Sequence, residues 1–253
     1  MKRVLTALVM IPAVVGLIFY SPYWLIAAAT AVVACLCFAE FLSIARAHGM
    51  LVSGPLGLAA GLVVLAAPSP QAPMLVAMLC AVLVASLTRA DLKDVLLSNA
   101  GLIFGVVYVF GAWRCGLELF RIQPHLLLFA MAVNWVGDVA AYVVGSRFGR
   151  HKLAPRVSPA KSWEGFAGSL TLATVFGIFY LTRFVPDFRV PEAAGLAVLA
   201  NVAGQLGDLA ESAMKRGAGI KDSGGMLPGH GGWLDRVDST LFSLPVVYVW
   251  WTR

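Results

Sequence analysis

The stretch FAMAVNWVGDVAAYVVGSRFGR, residues 129–150, decides the fold class. With the apolar residues before it, it is long enough to cross a bilayer, which takes about 20 residues. Yet it carries an acid, Asp138, at its centre and the cations Arg147 and Arg150 at its end. Asn134, Asp138 and Tyr142 recur every four residues, so as a helix they share one face. A carboxylate at mid-bilayer costs about 2.5–3.5 kcal/mol on insertion scales. Asp138 must therefore either bond to a neighbouring helix or serve a ligand.

The rest of the chain repeats this pattern. Of 253 residues, 60% are hydrophobic and only 13% charged, where a soluble domain carries roughly 25%. The deficit is too large for a soluble core and implies an all-α, polytopic membrane protein. Nine candidate spans follow, at 4–20, 23–43, 51–67, 72–88, 95–113, 125–146, 166–182, 193–214 and 239–252. Met1-Lys2-Arg3 before an apolar run resembles a signal peptide, but the run continues past Ala27-Ala28-Ala29, and an uncleaved first helix is the better reading. Placing the N-terminus in the cytoplasm puts fourteen of the nineteen Lys and Arg residues on inner segments, as the positive-inside rule requires. The same rule accounts for the net charge of +6, which therefore carries no nucleic-acid signal. The division expected is 1–124, N-terminal membrane helices, and 125–253, C-terminal catalytic helices with cytoplasmic loops at 147–165 and 215–238. Cys35, Cys37, Cys80 and Cys115 lie scattered in apolar runs without zinc spacing and read as small core or lipid-facing residues.

Polar chemistry concentrates in three places. The loop after Asp138 holds Arg147, Arg150, His151, Lys152, Arg156 and Lys161. It is either a flank that meets anionic headgroups or, at Lys161 behind the rigid Ser158-Pro159 turn, a phosphate contact. Gly204, Asp208, Glu211 and Lys215 fall within an arc of about 60° on a helical wheel. They should face a polar cavity, a metal or one another; a plain Glu211–Lys215 pair would leave Asp208 one turn deeper without a partner. Finally, SAMKRGAGIKDSGGMLPGHGGWLDRVDS, residues 212–239, places seven glycines among Lys215, Arg216, Lys221, Asp222, His230, Asp235, Arg236 and Asp238. Glycines permit positive φ and close backbone approach, and cations with exposed N–H groups suit phosphates. His230 either donates to a phosphate or caps the turn. Asp235 and Asp238 share a helix face, a workable site for Mg²⁺, a hard ion that prefers oxygen ligands; salt bridges to Arg236 and Lys215 are the alternative. GxxxxGK[ST], HExxH, GxSxG and CxxC motifs are absent. The residues thus point to metal-assisted phosphoryl or nucleotidyl transfer without a covalent protein nucleophile.

These residues carry a resemblance. The run Ser212-x-Met214-Lys215-Arg216-x₄-Lys221-Asp222-x-Gly224-x₂-Leu227-Pro228-x-His230-Gly231-Gly232-Trp233-x-Asp235-Arg236-Val237-Asp238 resembles the signature of the phosphatidate cytidylyltransferases, or CDP-diacylglycerol synthases. Asp138 to Gly149 and Ser158 to Gly165 resemble two further stretches of that family. The resemblance covers residues 134–240 by motif and the first 130 only as membrane spans. Trp233 stands where the family usually has an aliphatic residue or Phe. Ala160 and Ser162 stand where Lys and Thr are expected, and Ala160 removes one phosphate contact.

The resemblance implies the reaction CTP + phosphatidate → CDP-diacylglycerol + diphosphate, with Mg²⁺, in the inner membrane of a bacterium, by an enzyme able to form homodimers. For that reaction Asp208, Asp222, Asp235 and Asp238 would hold one or two cations. Asp208, Lys215, Asp222, Asp235 and Arg236 form the expected catalytic set. Asp138, Lys161, Arg216, Lys221, Gly229, His230, Gly231 and Gly232 would bind substrate. Two other readings compete. A CTP-dependent polyprenol kinase would release CDP rather than diphosphate. An ion-coupled transporter would place Asp138 and Asp208 on an ion path, but the sequence shows no pair of broken helices in inverted repeats.

Overall fold

The computed structural model describes residues 2–67, 72–85, 93–186, 188–226 and 231–253. Among these the chain is predominantly helical. In order it forms α1 (Lys2–Tyr20), α2 (Tyr23–Ala47), α3 (Gly54–Ala66), α4 (Ala72–Ala85), α5 (Val95–Gly105), a π-helical turn (Val106–Gly111) that runs on into α6 (Ala112–Ile122), and α7 (Pro124–Phe148). A hairpin of β1 (Lys152–Ala154) and β2 (Ser158–Ser162) follows, then α8 (Trp163–Phe184), α9 (Val190–Gly217) and α10 (Leu234–Trp251). Among the described residues, five stretches are long and apolar enough to cross a membrane: Tyr23–Ala47, Val95–Ile122, Pro124–Phe148, Trp163–Phe184 and Val190–Gly217. Val139, Leu172, Val175, Phe179 and Leu199 are exposed along these helices. So much apolar side chain facing outward would drive association in water, and suits helices bathed in lipid.

The chain packs as two compact units. The first comprises Met1–Ile26, Cys115–Ala213 and Val237–Arg253. Its tightest pair is α7 against α8, and the sequence explains why. Small residues recur at every fourth position: Gly137, Ala141 and Gly145 on α7, and Gly165, Ser169, Ala173 and Gly177 on α8. A Cβ built on Gly165 would sit 3.0 Å from the Ala141 carbonyl oxygen and 3.4 Å from the Gly145 Cα. Such stripes let backbones approach where lipid tails supply no hydrophobic drive. Gly177 likewise leaves no room for a side chain against Ala197 of α9. Gly177→Leu is therefore expected to lower stability by about 1–3 kcal/mol through overpacking, read as a lower unfolding temperature in detergent.

Interhelical hydrogen bonds reinforce this unit. Asn134 donates from Nδ2 to Ser243 Oγ of α10 at 2.9 Å, and Gln205 of α9 donates to Ser169 Oγ of α8 at 2.6 Å. Ser169 donates in turn to Asn201 Oδ1 at 3.2 Å. All five side chains are buried, so each needs a partner inside the protein. The turn between α7 and α8 is a hairpin rather than an irregular loop, pairing Lys152 with Ser162 and Ala154 with Ser158. Its sequence lacks the alternation that announces strands; pairing satisfies backbone groups in a short link between two neighbouring helices. Ser162 then caps α8, its Oγ accepting from Gly165 N–H at 3.1 Å.

The second unit comprises Ala27–Arg114 and Met214–Arg236. Phe38 and Phe41 of α2 and Phe110 of the π-helical turn form its aromatic core, with Gly57, Gly61 and Gly105 giving the rings space. The last turn of α9 ends within this unit in a Schellman motif. Ile220 N–H bonds to Lys215 O and Gly219 N–H to Arg216 O, both at 3.0 Å, with Gly219 at φ 72°.

Candidate functional site

In the first unit the carboxylates singled out by the sequence come from three helices. Asp138 lies on α7, Asp208 and Glu211 on α9, and Asp238 on α10. The hairpin brings Lys161 to this group: its Nζ lies 2.7 Å from Asp208 Oδ2, with the two side chains 20% and 31% exposed. The partner of Asp208 is thus a cation from the preceding loop. Ser212, one turn on, donates to Asp208 Oδ1 at 3.3 Å. Asp238 is almost wholly buried, and Ser239 N–H donates to its Oδ1 at 2.6 Å. The charges of Asp208, Glu211 and Asp138 all bear on Asp238. α9 and α10 meet closely here, since a Cβ on Gly207 would lie 2.7 Å from the Asp238 carbonyl oxygen.

Glu164 holds the base of the hairpin. Its carboxylate accepts from the backbone N–H groups of Arg150 and His151 at 3.2 Å, and its Oε1 lies 2.6 Å from His151 Nδ1. Lys161 therefore stands on a braced strand.

The second unit carries the other group. Lys215, in the last turn of α9, donates to Asp235 Oδ1, and both side chains are about nine-tenths buried. Asp235 Oδ2 also accepts Gly232 N–H at 2.7 Å and Ser223 N–H at 3.0 Å. Of the two roles the sequence left open for Asp235, the salt bridge to Lys215 is present. Gly231 has φ 76°, and a Cβ on it would lie 2.6 Å from Asp235 Oδ2. Lys221 and Asp222 are exposed beside this loop, as are Arg216 and Arg236. Gly229 and His230 lie outside the described residues.

One participant escaped sequence reasoning. Glu40 of α2, 2% exposed, accepts hydrogen bonds from Ser223 Oγ, Trp233 N–H and Leu234 N–H at 2.9, 3.0 and 2.8 Å. Its signal was available: it is the single acid in the apolar helix Tyr23–Ala47, and an ionisable group in such a helix points to function.

The loop's dependence on glycine is testable. Gly231→Ala forces a left-handed residue, which costs about 1–2 kcal/mol, and drives a methyl group into the Asp235 carboxylate. Gly219→Ala imposes the same backbone cost, but its Cβ meets nothing within 4 Å. Faster hydrogen exchange at the Ser223 and Gly232 amides is expected in Gly231→Ala and not in Gly219→Ala.

The donors suit a hard divalent cation in charge and in chemistry. Carboxylates drawn together in the first unit repel one another, and an oxygen-seeking cation relieves that repulsion. Among the described residues no three His, Cys, Asp or Glu side chains form a ready-made metal cage. An ion of the Mg²⁺ type is commonly held by only one or two carboxylates, the rest of its shell coming from substrate phosphates and water. Asp208 and Asp238 fit that role.

The architecture is that of a helical protein with stretches apolar enough to cross a membrane, carrying carboxylates paired to lysines and a glycine-rich, charged loop. The chain is a member of the Cytidylyltransferase family, whose profile matches residues 1–252. Similar proteins include the phosphatidate cytidylyltransferase of Staphylococcus haemolyticus (strain JCSC1435), 41% identical over 161 residues, which are 63% of this chain and 58% of that protein. The phosphatidate cytidylyltransferase of Staphylococcus aureus (strain COL) is 43% identical over 127 residues, 49% of this chain and 48% of its own. That of Haemophilus influenzae is 40% identical over 148 residues, 55% of this chain and 51% of its own. The matched stretches thus span about half the length of these relatives.

Proposed function

We propose that the protein is a phosphatidate cytidylyltransferase, converting CTP and phosphatidate to CDP-diacylglycerol and diphosphate. In this reading it crosses a bacterial inner membrane about nine times with its N-terminus in the cytoplasm, where the excess of Lys and Arg favours that side. The observation that carries the proposal is the pairing of Lys161 with Asp208 beside the carboxylates that bear on Asp238. This arrangement keeps both signs of charge available to two polyanions that must meet.

A phosphate oxygen of phosphatidate forms a new bond to the α-phosphorus of CTP, and the bond from that phosphorus to the departing diphosphate breaks. The chief barriers are mutual repulsion and misalignment of the reactants. Asp208 and Asp238 of the first unit, and Asp222 and Asp235 of the second, would supply oxygen ligands for Mg²⁺. One or two cations held there would supply charge neutralisation for the phosphates. Lys161 turns from Asp208 to the triphosphate as CTP enters, and Lys215, Lys221, Arg216 and Arg236 stabilise the diphosphate as it leaves. Asp138 borders the entry of the lipid headgroup, while the acyl chains stay in the membrane. Glycines 229, 231 and 232 keep the loop slim enough for close approach of the nucleotide.

The test is purified protein in mixed micelles with CTP and Mg²⁺. Diphosphate release that requires phosphatidate is expected. Release of CDP would identify a lipid kinase instead, and no phosphatidate-dependent product would remove the enzymatic reading.

A further inference from the structure

Glu40 sits on α2, far in sequence from the motif it touches: its three donors lie 183, 193 and 194 positions away. Trp233 and Leu234 stand at the start of α10, where backbone N–H groups have no partner within the helix. A carboxylate there meets both those donors and the positive end of the helix dipole. Ser223 links this contact to the next one. Its hydroxyl donates to Glu40, while its backbone N–H donates to Asp235. Gly232 does the same through its neighbour, giving its own N–H to Asp235 while Trp233 N–H goes to Glu40. Residues 223 and 232–234 are therefore held jointly by Glu40 and Asp235, and Asp235 in turn holds Lys215. Gly224 and Gly232 both lie close against Glu40, since a Cβ on either would run into its carboxylate.

We propose that Glu40 is a positioning residue for the reaction. From α2 it fixes residues 223–224 and 232–234 and the first turn of α10, and thereby sets where Asp235 and Lys215 stand toward the triphosphate of CTP. The inference rests on the cytidylyl-transfer reading and adds to it a residue from the N-terminal part of the chain, outside the motif region.

Glu40→Gln keeps the size of the side chain and replaces an acceptor oxygen with a donor that faces other donors. Glu40→Asp keeps the charge on a side chain one methylene shorter, and serves also if the Gln variant does not fold. Both are compared with the unaltered protein in micelles for kcat, for KM toward CTP and toward phosphatidate, for unfolding temperature, and for trypsin cleavage after the exposed Lys221. In Glu40→Gln the KM for CTP is expected to rise about tenfold, the scale of losing a hydrogen bond to a charged group, with kcat also lowered. The KM for phosphatidate should stay as in the unaltered protein, cleavage after Lys221 should quicken several-fold, and the unfolding temperature should fall, because buried donors lose an acceptor. Glu40→Asp should recover part of the CTP affinity. An unchanged KM for CTP in Glu40→Gln would overturn the proposal. So would a parallel loss toward both substrates, or an Asp variant no better than Gln. Should the unaltered protein release no diphosphate from CTP and phosphatidate, the proposed activity has failed. Cleavage after Lys221 then decides the placement of the loop by itself, and an unchanged rate refutes it.

Discussion

Asp208→Asn should lower the rate of CDP-diacylglycerol formation by about a thousandfold, on the order of 4 kcal/mol of transition-state stabilisation. The substitution keeps the size of the side chain, and its oxygen can still accept from Ser212. It removes the negative charge that faces Lys161 and, in the proposed mechanism, an oxygen ligand for a divalent cation. The cost to folding is small by comparison. The Lys161–Asp208 pair is partly exposed at 20% and 31%, and such pairs contribute at most about 1 kcal/mol once solvent screening is counted. A large loss of rate with an unfolding temperature close to that of the unaltered protein is therefore expected. The check is product formation by purified variant across a range of Mg²⁺ concentrations. Near-normal turnover would remove Asp208 from the mechanism.

Lys161→Ala should act on the nucleotide more than on the lipid. A drop in kcat/KM for CTP of about a hundredfold is expected, typical of losing a charged contact to a phosphate that strengthens as the reaction proceeds. Lys161→Arg should retain much of the activity because it keeps a cation at the end of β2. The hairpin itself should survive both changes: Glu164 holds the backbone of Arg150 and His151, and Ser162 caps α8, and neither contact involves residue 161. Steady-state kinetics with CTP and phosphatidate varied in turn provides the check. Equal losses toward both substrates would count against Lys161 as a triphosphate contact.

Much of the fold was legible because membrane helices write themselves in long apolar runs. The candidate span 125–146 corresponds to α7, Pro124–Phe148, and 193–214 to α9, Val190–Gly217. The ends were less legible, since they depend on caps rather than on hydropathy. α8 starts at Trp163, not at 166, because Ser162 accepts from Gly165. α10 starts at Leu234, not at 239, and Glu40 meets its first N–H. The hairpin was not legible at all, because Ser158-Pro159-Ala160-Lys161-Ser162 has neither alternation nor β-branched residues. In the site, the helical wheel placed Asp208, Glu211 and Lys215 on one face but could not choose their partners. The structure pairs Asp208 with Lys161 and Lys215 with Asp235. These are contacts between elements, and sequence spacing carries no record of them. The same limit hid Glu40, whose acid was plain in α2 but whose loop lies beyond residue 220.

In the proposed reaction the charged groups of α9, α10 and the hairpin serve to move a cytidylyl group onto a lipid phosphate. CTP labelled at its α-phosphorus tests this most directly, incubated with purified protein, phosphatidate micelles and Mg²⁺ and then partitioned into organic solvent. The expected result is label entering the lipid phase with one diphosphate released per labelled lipid. Label that stays in the aqueous phase, with the γ-phosphate reaching the lipid instead or with no lipid product at all, would contradict it.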